Sequence, residues 1–414
     1  MSTTAVPVVA PADDRPAHRD PNVLRWLGAY LSGAVGDNVY YIALSWAAVQ
    51  SGTPAQAGLV TAASALPRAL LMLGGGVLAD RYGPRRVVLG STAARGALVL
   101  TAAVLLLATS PGLWALGAVA VLFGVVDAVF LPAAGSLPAR ITARGQLARV
   151  QGMRGLGTRL ANVLGGPLGG LGVAVGGTPG AFGLAALLVG VSLPLLLTVR
   201  VAALPPDERQ ERRAPLAELR DGLRHIRRHP VLRPLVIAAA LSDLGFVGPM
   251  NLGLTLLAQQ RGWGSAGMGW VLAGFGTGAG AASLLLTWRG RMPRAAVVAA
   301  ATNLVAAVAI AALAQVPSVA GASGVAALIG VSAGLSGALC GALVQAHAGA
   351  AYLGRVLSVS TIVGFGVAPL TFPVIGTAVA AWGTGPVFAV CAGVSALAAA
   401  VVLAVRDLRR AELP

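Results

Sequence analysis

Seven ionisable residues stand inside otherwise apolar stretches of the chain: Asp37, Arg68, Arg95, Asp127, Arg154, Arg159 and Asp243. At the centre of a bilayer such a group costs at least ~2.5–3.5 kcal/mol unless it is paired or faces water. These residues are therefore the sharpest pointers to chemistry, and the chemistry they suit is proton or charge relay. Gly33, Asp37, Tyr41 and Ser45 recur at four-residue spacing, so a helix presents them as one polar stripe. Asp37 fits a cavity wall on that reading, or else a buried Asp–Arg pair with a purely structural role. Asp127 lies nearer one end of its apolar stretch, which favours a structural or gating role. Asp243 has no arginine within the apolar stretches of its own half. It is a candidate proton carrier if it faces a cavity; the alternatives are a hydrated site near the interface or pairing across the halves.

The four arginines have two readings. They hold the aspartates and backbone carbonyls in place, or an unpaired guanidinium meets a carboxylate, phosphate or catecholate on a substrate. On the second reading Arg154 and Arg159 line a substrate cavity with Tyr41, Asn162 and Asn251. Further polar candidates are Ser332, Ser336, Gln345 and Thr361, with Tyr40, Phe246, Trp270 and Phe275 for apolar contact. Cys340 and Cys391 lie in apolar segments, so neither a disulfide framework nor a thiolate metal site is expected. His18, His225 and His229 fall outside the apolar stretches, and His347 at the end of one. They compose no Ser-His-Asp or metal constellation. No enzyme activity, metal or cofactor is expected.

The elements that must position these groups follow from composition. Of 414 residues, 56% are hydrophobic and 11% charged, with a mean hydropathy of +0.79. A soluble domain carries about a quarter charged residues. A cytosolic enzyme, a nucleic-acid binder and a disordered chain are thereby excluded, and residues 1–20 lack the apolar core of a signal peptide. At the ~20-residue window of a membrane helix, twelve spans are predicted: 24–49, 57–79, 87–108, 113–134, 152–176 and 180–199, then 234–258, 266–288, 295–314, 319–346, 356–381 and 384–405. The fold class is an all-α polytopic membrane protein with two six-helix halves. Its expected divisions are a tail 1–23, a half 24–199, a linker 200–233, a half 234–405 and a tail 406–414. Within the linker Leu216, Leu219, Leu223 and Ile226 recur at helical spacing, which predicts an amphipathic helix on the membrane surface.

All 30 basic residues are arginine, giving a net charge of +16. Twenty-five fall on one side of the predicted spans, one (Arg261) on the other, and four within them. That asymmetry predicts that both termini are cytoplasmic, as an even number of spans requires. Trp26, Trp46, Trp114, Trp263, Trp288 and Trp382 fall near span ends, the pattern of an interfacial belt. The high pI reflects topology and attraction to anionic lipid, not nucleic acid.

At the inner end of the second span stand Gly76, Leu78, Asp80, Arg81, Gly83, Arg85 and Arg86. This run resembles the loop 2–3 signature of the major facilitator superfamily, G-x-L-A-D-R-x-G-R-K/R, departing at Pro84. Gly165-Gly166-Pro167-Leu168-Gly169-Gly170 resembles the Gly-Pro-x-x-Gly-Gly motif of that superfamily's exporters, one residue short. The fourth span, with Asp127, Phe130 and Pro132, and Gly354-Arg355 before the eleventh, look like the macrolide- and siderophore-exporter branch. The resemblance implies a major facilitator fold and alternating access by rocking halves around a central cavity. It implies export of an amphipathic small molecule, an antibiotic, secondary metabolite or siderophore, in exchange for protons across a bacterial cell membrane. It makes the loop 2–3 charges a gating latch. Nutrient uptake or lipid transport without proton antiport is the alternative. The expected partners are substrate, protons and membrane lipid, and the expected state is a monomer.

Overall fold

The computed structural model describes residues 16–109, 112–201, 215–289, 294–349 and 352–409. Among them the regular structure is helical throughout. The first half holds α1 (Pro21–Ser51), α2 (Pro54–Tyr82), α3 (Pro84–Ala108), α4 (Leu113–Ser136), a one-turn α5 (Pro138–Ile141) and α6 (Leu147–Leu197). After α7 (Pro215–Arg228) come α8 (Leu232–Gly248), a π-helical turn Pro249–Gly253, and α9 (Leu254–Gln260). The chain continues through α10 (Gly264–Arg289), α11 (Ala295–Leu313), α12 (Val319–Ala348), α13 (Leu353–Trp382), α14 (Thr384–Ala404) and the short α15 (Arg406–Arg409).

Helix starts are written locally. Asp20 accepts from Asn22 N to open α1, Thr53 and Gln56 form a capping box ahead of Pro54, and Ser318 caps α12. The 51 residues of α6 are two antiparallel arms. They break at Gly177, whose φ of 64° and ψ of −171° suit glycine, and Gly172 then packs against Ala181. Nine segments among the described residues are long and apolar enough to cross a membrane; α6 counts as one, and α8 with α9 as another. Separating the arms of α6 and adding α1 and α2, of 31 and 29 residues, makes twelve spans in two halves of six.

The tryptophan belt is only partly present. Trp114, Trp288 and Trp382 are largely exposed, but Trp26 and Trp46 are buried at 2% and 7% exposure. Trp26 stacks on Tyr30 at 5.8 Å, so internal packing has claimed a ring expected at the lipid interface.

The halves meet along α2–α13 and α6–α10. At the arginine-poor end a Cβ on Gly58 would come within 2.5 Å of the Phe372 carbonyl oxygen, and Gly376 abuts the backbone of Pro54. Along α6, Val163, Gly166 and Gly170 pack against Gly276, Leu272 and Ser265 of α10. The same helical faces continue through Gly155 and Gly152 on α6 and Gly280 on α10. There nothing lies within 4 Å of where a side chain would begin. The two halves are therefore closed together at the arginine-poor end and apart at the arginine-rich end.

The amphipathic α7 docks on the second half. Leu219 and Ile226 join its apolar cluster and Gly222 abuts the Arg355 backbone, whereas Leu223 is half exposed and the Leu216 side chain lies outside the described residues. His225 stacks on Tyr352 at 4.2 Å, and His229 lies 5.8 Å from the His225 ring and 6.4 Å from that of His347. His229 Nδ1 accepts from the amides of Val231 and Leu232, which start α8. Burial, then the charges of His225 and His347, hold the His229 pKa below its ordinary value. The docked form thus binds fewer protons than the undocked one, so docking is full above the ordinary histidine pKa and weakens as pH falls through it. Hydrogen exchange over 219–229, corrected for intrinsic rates, should speed on going from about pH 7.5 to about pH 5.5, on either side of that value. Equal corrected rates would contradict this reading.

Candidate functional site

A cavity of about 430 Å³ lies between the halves. Asn38, Tyr41 and Ser45 of α1, Thr61 and Arg68 of α2, and Asn162 of α6 line it from the first half. Phe246, Met250, Asn251 and Thr255 of the α8–α9 span, Phe275 of α10 and Phe365 of α13 line it from the second. The π-helical turn positions Asn251 here; such turns insert one residue into a helix and re-aim its side chains. Ser45 and Thr255 hydroxyls bond across the halves at 2.9 Å. Apolar walls with a few convergent polar groups are what a site for an amphipathic molecule requires.

Glycine spacing brings the walls together. Gly165 and Gly169 abut Asn38 and Ile42 of α1, while Gly166 and Gly170 abut α10. Two glycine pairs, each at i and i+4, thus let one helix approach neighbours on two of its faces. The run singled out in the sequence is where the first half holds α6 and meets the second half.

Behind the cavity, in the first half, two aspartates and two arginines form one chain. Arg95 Nη1 bonds Asp37 Oδ2 at 2.8 Å and Asp127 Oδ1 at 3.3 Å, and Arg68 Nη1 stands 3.5 Å from Asp127 Oδ2. Arg68 also donates to the Tyr41 hydroxyl at 2.9 Å, and its guanidinium lies 4.7 Å from the Phe365 ring of the opposite half. Arg95 is 1% exposed and covers Phe130 at 3.6 Å; Asp127 is 4% exposed. Two positive and two negative charges cancel, which is how buried charge is tolerated. Asp37 is the member with most solvent access, its side chain 23% exposed, and it lines a pocket of about 100 Å³ with Arg154, Trp26 and Tyr30.

The structure brings Tyr41, Asn162 and Asn251 into the cavity, with Phe246 and Phe275. Arg154 and Arg159 stand elsewhere. Arg154 packs over Tyr30 at 5.1 Å beside Asp37, and Arg159 is exposed on the separated part of the α6–α10 face. Tyr40 is a core residue stacked on Phe123 at 3.9 Å, Trp270 is exposed, and Ser332 is buried. Gln345 and Thr361 are exposed. Sequence reasoning does not single out Arg68, Asn38, Thr255 or Phe365 as cavity wall. The four-residue stripe through Tyr41 and Ser45 could have found Asn38 only by its adjacency, and Phe365 carries no sequence signal.

The loop 2–3 motif closes α2 and opens α3. Gly83 takes a φ of 84°, Arg85 donates to the Leu197 carbonyl at 2.9 Å, and Arg81 covers Tyr82. Gly76 is half-buried and Arg86 exposed, and the Asp80 side chain lies outside the described residues.

Asp243 lines a further cavity of about 460 Å³, walled mainly by the second half, which shares Asn162, Phe246 and Phe275 with the cavity between the halves. Among the described residues its carboxylate has no ion pair or hydrogen-bond partner.

Comparison with known proteins agrees with this arrangement. The family model for the Major Facilitator Superfamily matches residues 26–364. The multidrug efflux pump Tap of Mycobacterium tuberculosis is 30% identical over 235 residues, 53% of this chain and 54% of that protein. The enterobactin exporter EntS of Shigella boydii is 28% identical over 210 residues, 51% of this chain and 49% of that one. The chain spans about half the length of the curated relatives it matches. Among solved structures, a point mutant of the nucleoside transporter NupG superposes with a TM-score of 0.71 at 13% identity, covering 94% of this chain and all of its own. A bacterial homologue of the lysosomal transporter Spinster, inward-facing and occupied, gives 0.67 at 16% identity over 93% and 96%. At those identities the likeness is one of fold.

Proposed function

The chain belongs to the major facilitator superfamily, and on that premise we propose that it exports an amphipathic small molecule by alternating access, in exchange for protons. As a member it is a multi-pass transporter and not an enzyme. The observation that carries the export reading is the central cavity, whose mainly apolar and aromatic walls come from both halves and hold only a few polar groups. The relatives named as efflux pump and siderophore exporter support the same direction. The arginine-rich face is taken as cytoplasmic by charge asymmetry, in a bacterial cell membrane with surrounding lipid, the protein acting as a monomer.

Asp37, Asp127 and Asp243 are the candidate proton and charge-relay groups. A proton taken up by Asp37 loosens its bond to Arg95, leaving Arg95 to Asp127 alone. Asp127 then holds Arg68 less firmly, and Arg68 touches both the cavity wall at Tyr41 and the opposite half at Phe365. Proton occupancy is thereby tied to substrate contact and to the contact between halves. Gly76, Asp80, Arg81, Gly83, Arg85 and Arg86 are proposed as the gating latch that engages when the arginine-rich end closes.

Inside-out vesicles from a pump-deficient host test this. A panel of cationic, neutral and anionic amphipathic compounds should include one that evokes proton release and accumulates against its gradient. Asp37→Asn at normal protein level should abolish proton release. Accumulation with no proton movement for any cargo would leave uniport or lipid transport as the better account.

A further inference from the structure

We propose that Asp37 gives up its proton to the arginine-rich side through a passage of its own in the first half, apart from the cavity that takes the substrate. The inference rests on the reading of Asp37 as a proton group and adds the route. The pocket of about 100 Å³ beside Asp37 is walled by α1, α3, α4 and both arms of α6. It shares no lining residue with either larger cavity. Asn38 and Tyr41, close to Asp37 on α1, line the central cavity, but Asp37 does not. The pocket follows α1 from Asp37 back to Trp26, about 16 Å at the rise of a helix. Val88, Leu137 and Leu196 line it too, each close to the arginine-rich end of its helix. Tyr30 and Arg154 are half-buried at its side, with the Arg154 guanidinium 5.1 Å from the Tyr30 ring.

Polar groups on the lining residues suit a chain of waters. Thr92 and Arg95 are each 1% exposed, and Thr92 Oγ1, Arg95 Nε and Asp37 Oδ1 have no hydrogen-bond partner among the described residues. Thr101, on the same helix as Thr92, returns its hydroxyl to the Ala97 carbonyl at 2.8 Å; Thr92 makes no such bond. Buried polar groups are satisfied by protein or by ordered water. The pocket far exceeds the ~10–15 Å³ that one water needs. Waters between Thr92 and Asp37 would serve a donor, an acceptor and a hydroxyl that is both. The proton leaves the Asp37 carboxyl for such a water, the carboxylate draws Arg95 back, and the charge passes along the waters to the arginine-rich side. Arg154 and Arg95 are the charged groups lining this route besides Asp37, with Asp127 and Arg68 behind Arg95. The positive charge of Arg154 at the side keeps a released proton from lodging there. Substrate entry and proton release thus use different spaces in this conformation. What links them is the chain from Arg95 through Asp127 and Arg68 to Tyr41 in the cavity wall.

Stopped-flow infrared spectroscopy of the purified full-length protein tests the route. After an alkaline jump, the protonated-carboxyl band that Asp37→Asn removes reports proton release from Asp37 alone. Thr92→Val, which keeps the shape and removes the hydroxyl, should slow its decay by about tenfold, the loss of one hydrogen bond in the chain. Thr92→Ser should restore the wild-type rate, which excludes a packing defect at this position. Ala34→Leu, which fills the pocket, should also slow the decay. Asn251→Trp, which fills the central cavity and should stop export, should leave the decay rate unchanged. Wild-type rates in both Thr92→Val and Ala34→Leu would overturn the proposal, as would slowing in Asn251→Trp without slowing in those two. Either result would leave Asp37 as a proton group, because its band is still seen. Absence of any band that Asp37→Asn removes would instead overturn the reading of Asp37 itself, and the route with it.

Discussion

Arg95→Met will destabilise the protein more than any other single substitution in the first half, and Asp37→Asn in the same background will restore much of the loss. Arg95 is 1% exposed and is the cation nearest Asp37, which it binds at 2.8 Å. Removing one partner of a buried ion pair costs about 3–5 kcal/mol, because the other charge is left uncompensated. Methionine keeps the contact with Phe130 and removes only the charge, so packing loss is small. The double variant leaves Asp127 with Arg68 and no orphan, and should recover more than half of the difference. Thermal inactivation of the four proteins in one detergent checks this. Equal loss in Arg95→Met and the double variant would show that packing, and not charge pairing, is what Arg95 provides.

Gly376→Leu should abolish transport while leaving the protein folded. Gly376 lies directly against the Pro54 backbone, and its neighbour in the contact, Gly58, lies against Phe372. A side chain at either position cannot fit while the arginine-poor end is closed, but meets nothing once the halves separate there. The substitution therefore penalises one global state and shifts the population towards the other. A shift from 99:1 to 1:99 needs about 5.5 kcal/mol of differential energy, which a backbone clash across a packed interface readily supplies. Gly155→Leu, on the separated part of α6, should trap the opposite way and lose transport while keeping the present conformation. Wild-type transport rates in Gly376→Leu would show that the contact at that end does not gate.

Most of the fold was legible in the sequence because its determinants are one-dimensional. A span needs only a length of apolar residues, a cap needs only Asp20 or Thr53 before a proline, and the halves follow from the polar stretch between them. The arms of α6 were readable as two spans for the same reason. Contacts that depend on helix phase were not. The five-residue π turn at Pro249–Gly253 shifts the phase within the seventh span, so no periodic count could place Thr255, and Asn251 was a candidate by residue type alone. Asp37 and Asp243, each in the first span of its half, have opposite surroundings. Asp37 meets Arg95 from a different helix, and Asp243 meets no arginine among the described residues.

Pairing also eludes sequence because long arginine side chains reach several helices. Four arginines and two aspartates in the first half allowed many pairings, and packing selected Arg95 and Arg68. Arg159 has the same residue type but is exposed where α6 and α10 part, and among the described residues no ion pair involves it. Trp26 shows the same limit: its position near a helix end suggested lipid contact, but the ring turns inward to Tyr30. Length and composition fix elements; which face a residue takes depends on the neighbour.

The central claim is that one cavity between two halves is reached from alternate sides. A single cysteine at Asn38, in a background with Cys340 and Cys391 replaced by alanine, tests it directly. In the resting protein a membrane-impermeant maleimide should reach that cysteine from the arginine-rich side and not from the other. In Gly376→Leu the preference should reverse. Labelling from the same side in both proteins, or from neither, would contradict the account.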